Sequence, residues 1–141
     1  MNTEKTSQSA LEDIKVSVQL KLASLWTSLM FLIIYLDYFH LYMPDSIEDI
    51  LKGKVFVFDI TQGFLLLAFV LVATPALMIF LSVALPAKVN RWTNIIAAAI
   101  IIPTLLFNLA GEAWIHMVVG AFIQVILLCL IIHYAWKWPR I

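Results

Sequence analysis

Charge is scarce in this chain. Asp, Glu, Lys and Arg make up 13% of its 141 residues, against about 25% in an ordinary soluble domain, while 63% are hydrophobic. That balance excludes a soluble enzyme and a disordered chain. A basic surplus is also missing: nine Lys and Arg face nine Asp and Glu, which leaves no excess positive charge for nucleic acid. Cysteine is down to one, Cys129, which excludes an internal disulfide and any CxxC zinc site. No GxGxxG, Walker A, GxSxG or HExxH occurs. No catalytic residue and no cofactor is expected, and the chain reads as a non-enzymatic protein.

What is present is four long apolar runs. A membrane helix needs roughly 20 such residues to cross a hydrocarbon core ~30 Å thick. Spans are expected at about 20–43, 62–85, 92–110 and 114–136, behind a polar tail over 1–19. The tail is too polar, and the run after it too long, for a signal peptide, so the first span is expected in the mature protein. None of the runs alternates as barrel strands do, and lipid cannot satisfy an open backbone, so the spans are helices. The fold class is therefore all-α: a polytopic transmembrane four-helix bundle with a short amphipathic N-terminal helix. Short second and third loops predict antiparallel neighbours.

Lys and Arg set the orientation. Lys5, Lys15, Lys21, Lys88, Arg91, Lys137 and Arg140 fall on one side, and only Lys52 and Lys54 on the other. Both termini are thus expected in the cytoplasm, N-in and C-in, with the bilayer as the first partner. Tyr38, Tyr42, Trp92, Trp114, Tyr134, Trp136 and Trp138 mark the span ends as interfacial anchors.

Two soluble pieces carry local signals. Ser9-x-x-Glu12 reads as a capping box, with Leu11, Ile14, Val18, Leu22 and Leu25 at helical spacing. Val16, Val18, Leu20 and Leu22 also alternate with the strand period, but an isolated strand would have no partner, so the helix is favoured. In the first loop, Ser46 is placed to cap a short helix through Leu51, Gly53 to end it, and Val55–Phe58 to lie as an apolar run on the membrane surface.

The polar residues inside the spans need an account, since Asp at a helix centre costs roughly 2.5–3.5 kcal/mol on insertion scales. Asp37, His40, Gln62, Asn108, Glu112 and His116 all fall toward the expected outer side. His116, Gly120 and Gln124 form an i, i+4, i+8 stripe, as do Thr104 and Asn108 at i, i+4. One reading is interhelical hydrogen bonding, at ~0.6–2 kcal/mol per bond. A second is an external polar pocket for a small molecule or lipid, lined by Asp37, Gln62, Asn108, Glu112 and His116. A third couples protons through Asp37 or Glu112, and a weaker one holds a metal on Asp37, His40, Glu112 and His116. Pro75 and Pro103 free the carbonyls of Leu71 and Ala99, beside which Thr74 and Thr104 stand ready as donors.

Several strings occur together: Asp37-Tyr38-Phe39, Thr61-Gln62-Gly63, Pro86-x-x-x-Asn90-Arg91-Trp92-x-Asn94-Ile95 and Tyr134-Ala135-Trp136-x-Trp138-Pro139. In order and spacing the chain resembles a family of small four-span bacterial membrane proteins known only as a domain of unknown function. The resemblance implies a bacterial inner-membrane protein and supplies no activity. The layout is also similar to DoxX-like proteins, which implies a redox accessory role as a further reading. Within the Asn-Arg-Trp element, Lys88 and Arg91 lie at headgroup level for contact with lipid phosphate, Trp92 anchors the third span, and Asn90 is placed to cap it.

The leading expectation is a non-enzymatic membrane protein with an external pocket for a small molecule or lipid. The alternatives are a proton-coupled transporter acting as a homodimer and a DoxX-like redox accessory protein.

Overall fold

The computed structural model describes residues 14–110 and 113–139. In chain order they form α1 (Val18–His40), α2 (Ser46–Leu51), a hairpin of β1 (Lys54–Val55) and β2 (Phe58–Asp59), α3 (Gln62–Ala84), α4 (Ala87–Phe107) and α5 (Ile115–Trp136). Helices α1, α3, α4 and α5, each of 21 to 23 residues, are long and apolar enough to cross a membrane. At ~1.5 Å per residue each covers the ~30 Å hydrocarbon core.

The first span starts where its cap lies. Ser17 is extended, and its Oγ accepts from the Leu20 N–H at 3.3 Å. Residues 14–17 therefore precede the helix, and Ile14 stands exposed outside it. The capping box at Ser9 and Glu12 lies outside the described residues. We expect Ser17→Ala to lower stability by about 0.5–2 kcal/mol, read as a falling melting temperature in detergent.

Two helix starts are set by local chemistry that the sequence reading did not use. Helix α4 begins at Ala87, because the preceding Pro86 is extended and cannot continue α3. Lys88 and Arg91 thus sit within the first turns of the helix, not on a loop before it. In the first loop, Asp45 takes the cap position in a left-handed conformation, one residue ahead of Ser46. The apolar run beyond Gly53 folds back on itself, pairing Lys54 with Asp59 and Val55 with Phe58. Its turn places Phe56 at a φ of 53°, a conformation that bulky side chains rarely adopt.

Helix α1 packs on both α3 and α5, and α5 on α4, while α3 and α4 share the thinnest contact of the ring. Short loops therefore predicted the α4–α5 pair better than the α3–α4 pair. The bundle has a terminal end, where α1 and α4 start and α3 and α5 finish, and a hairpin end carrying the first loop. Its core is concentrated toward the terminal end. Leu22, Trp26 and Leu29 of α1 meet Met78 of α3, Ala97, Ala98 and Ile101 of α4, and Leu128, Ile131 and Ala135 of α5. Lipid removes the hydrophobic force between helices, so small residues that let backbones approach and polar side chains that bond across them must hold the bundle. The exposed faces carry Phe31, Leu66, Phe69, Phe80 and Phe122, as suits helices turned toward acyl chains.

Five hydroxyls within the spans are satisfied locally. Ser24, Thr27, Thr74, Thr93 and Thr104 each donate to the carbonyl four residues back, at 2.8–3.1 Å. Thr74 and Thr104 consequently reach Val70 and Ile100, not the carbonyls of Leu71 and Ala99 that the prolines free. Each threonine sits one residue away from the register that the repair needs.

Candidate functional site

The hairpin end holds the residues that the sequence singled out. The last turn of α1 carries Asp37 and His40, and the chain then runs through Tyr42 and Met43 into the first loop. Phe39, Tyr42 and Met43 face Trp114 and His116 at the start of α5 across an open cleft of about 310 Å³. The His40 ring lies 4.5 Å from that of Phe56, so the hairpin turn covers α1 at this point. Trp114 meets His116 edge-on with ring centroids 6.2 Å apart. His40 stands within electrostatic reach of both Asp37 and His116.

Two imidazole nitrogens in this region are enclosed and lack a hydrogen-bond partner among the described residues: His40 Nδ1 and His116 Nε2. A buried polar atom left unpaired costs about 1–3 kcal/mol, so each is a place for a ligand atom or a water. Tyr38 and Tyr42 join their hydroxyls at 2.5 Å. That bond holds the exposed Tyr42 phenol above its usual pKa.

The other expected site residues are dispersed. Asp37 is exposed on the outside of α1. Gln62 opens α3, where Thr61 does the capping by accepting from the Phe64 N–H at 3.1 Å, and the Gln62 side chain is exposed. Asn108 is the C-terminal cap of α4 and also exposed, so the Thr104–Asn108 spacing builds no inward stripe at its far end. Glu112 lies outside the described residues. The α5 stripe does turn inward: Gly120 and Gln124 are buried and His116 is half-buried. Among the described residues no three His, Cys, Asp or Glu side chains converge, so Asp37, His40 and His116 are not gathered as metal ligands.

At the terminal end the structure does bring its expected group together. Lys88, Arg91 and Trp92 line a second cleft, of about 210 Å³, with Ala87, Trp138 and Pro139. The guanidinium carbon of Arg91 lies 5.4 Å from the Trp92 ring and 5.1 Å from the Trp136 ring.

Asn90 corrects the sequence reading. It is not the cap of α4 but lies one turn inside it, and its side chain reaches back to close α3. Nδ2 donates to the carbonyls of Ser82 at 2.6 Å and Leu85 at 3.2 Å, which the end of α3 leaves without helical partners. Asn94, one turn on, donates to the Asn90 carbonyl at 2.9 Å and to Asn90 Oδ1 at 2.6 Å. Asn94 Oδ1 accepts from Trp26 Nε1 of α1 at 2.6 Å and from Ser82 Oγ of α3 at 3.1 Å. All four side chains are fully buried. This network joining three helices was missed, although Asn90 and Asn94 at i, i+4 already place two amides on one face.

Residues 13–140 match the model of a family of unknown function. No curated protein and no solved structure matches the chain.

Proposed function

The chain belongs to that family, DUF6326, and on this footing we propose a non-enzymatic integral membrane protein that binds an amphipathic small molecule or lipid at its hairpin end. The observation that carries the reading is the open cleft of Phe39, Tyr42, Met43, Trp114 and His116, with the unpartnered His116 Nε2 enclosed beside it. An aromatic lining suits an apolar body, and an unpaired imidazole nitrogen suits a single polar head. The distribution of Lys and Arg supports both termini in the cytoplasm, which puts the hairpin end on the external face of a bacterial inner membrane.

Native mass spectrometry of protein released into mild detergent tests this. The expected result is a reproducible added mass on the wild type, retained about tenfold less by His116→Ala, the effect of one lost hydrogen bond of roughly 1.4 kcal/mol. A bare wild-type chain overturns the proposal.

A second reading draws on Asp37. A carboxylate exposed on the outside of a spanning helix is costly in lipid, and a second copy of the chain would cover it. That is the arrangement a proton-coupled dimeric transporter needs, and the same spectra report the stoichiometry. The redox accessory reading predicts instead a bound mass with the absorbance of a quinone or flavin.

A further inference from the structure

We propose that the cleft at the terminal end is a phosphate site, formed by Arg91 and Lys88 within an aromatic frame of Trp92, Trp136 and Trp138. This inference is independent of the cleft at the other end of the bundle. Arg91 is half-buried, and its Nε is enclosed with no hydrogen-bond partner among the described residues. The two indole rings that flank its guanidinium stabilise the charge and hold the planar group in place. Their faces accept at most weakly, so the fork of N–H donors is left for an oxyanion.

Among the described residues no acidic side chain lies at this end. The acidic ones are Asp37, Asp45, Glu48, Asp49 and Asp59, all toward the hairpin end and roughly 20 Å or more away along the helices. Lys88 sits three residues before Arg91, on the same face of α4, and lines the same cleft. The backbone adds to the pull, since Pro86 gives the start of α4 no side-chain cap. The volume, about 210 Å³, falls below the roughly 300–1,000 Å³ of sites for drug-sized ligands. It suits one compact anion. Arg and Lys bordered by Trp at the end of a spanning helix is the chemistry that takes a phosphate at headgroup depth.

Two sources share that chemistry, an anionic lipid headgroup and a free phosphate. Delipidated full-length protein is to be mixed in separate arms with phosphatidylglycerol, with phosphatidylcholine as a zwitterionic control, and with inorganic phosphate. Retention is read by native mass spectrometry and stabilisation by thermal melting. We expect retention of phosphatidylglycerol over phosphatidylcholine, reduced about tenfold in Arg91→Ala and about fivefold in Lys88→Ala. Lys88 is exposed, so its variant decides the question should Arg91→Ala fail to fold. Stabilisation by inorganic phosphate that both substitutions abolish assigns the free anion. Equal retention of both lipids, equal response in wild type and variants, or no response in any arm overturns the site. Lys52→Ala, which removes an exposed charge at the hairpin end, is expected to leave every arm unchanged, and the hairpin-end proposal stands or falls separately on the His116→Ala spectra.

Discussion

Asn94→Ala is expected to destabilise the bundle by about 2–4 kcal/mol. The substitution strands three buried groups at once: the Trp26 indole N–H on α1, the Ser82 hydroxyl on α3 and the Asn90 amide oxygen on α4 itself. Each such bond between helices is worth roughly 0.6–2 kcal/mol in a membrane protein, and none of the three groups reaches water. Asn94→Leu is expected to rescue nothing, because it fills the space and leaves the same groups unpaired. Trp26→Phe keeps most of the ring's packing and removes one donor, while Ser82 still serves Asn94 Oδ1, so its cost is expected near 1 kcal/mol. Unfolding in mixed micelles by sodium dodecyl sulfate titration, followed by far-ultraviolet circular dichroism, orders the three. Asn94→Ala within 0.5 kcal/mol of wild type would mean that the network contributes nothing to holding the helices.

The second large effect is steric. A Cβ placed on Gly120 of α5 meets Leu36 of α1, with Cδ1 at 2.5 Å and Cδ2 at 2.6 Å. One methyl is absorbed if the flexible leucine tip turns away, and Gly120→Ala also gains helix propensity of about 1 kcal/mol. Gly120→Val adds two further methyls against the same neighbour and is expected to cost about 1–3 kcal/mol. Leu36→Ala in the same chain is expected to return most of that, giving a coupling energy above about 1 kcal/mol in a double-mutant cycle. Gly63→Val is the control. A Cβ at Gly63 meets only Thr61 Oγ1 at 3.9 Å, so no steric cost is expected. Additive costs at Gly120 and Leu36 would show that α1 and α5 do not approach through this pair.

The four spans were legible because a bilayer asks for little more than length and apolarity, a one-dimensional property. The hairpin at Lys54–Asp59 was not, since its turn uses Phe56 and Val57 where a sequence reader looks for Asn-Gly. Phe56 is held there by a contact with His40 of α1, a residue far from the turn's own chemistry. Helix α4 extends ahead of the expected span start at Trp92, because hydropathy falls at Lys88 and Arg91 while a helix accepts both readily. The candidate residues divide in the same way. Lys88, Arg91 and Trp92 are neighbours on one helix, and the structure brings them together as their spacing predicts. Asp37, Gln62, Asn108 and His116 come from four helices, and sharing one end of the bundle does not make them meet.

Local chemistry along the chain thus decided the number of spans, their caps at Ser17 and Thr61, and the basic cluster opening α4. Which helices touch was decided only in three dimensions, by shape and by bonds between residues far apart in the chain. Trp26 and Asn94 stand 68 positions apart and share no pattern, yet one bond of 2.6 Å ties α1 to α4. Lipid lends no hydrophobic preference for one helix pairing over another, so the choice falls to close approaches such as Gly120 on Leu36 and to buried donors that find one acceptor.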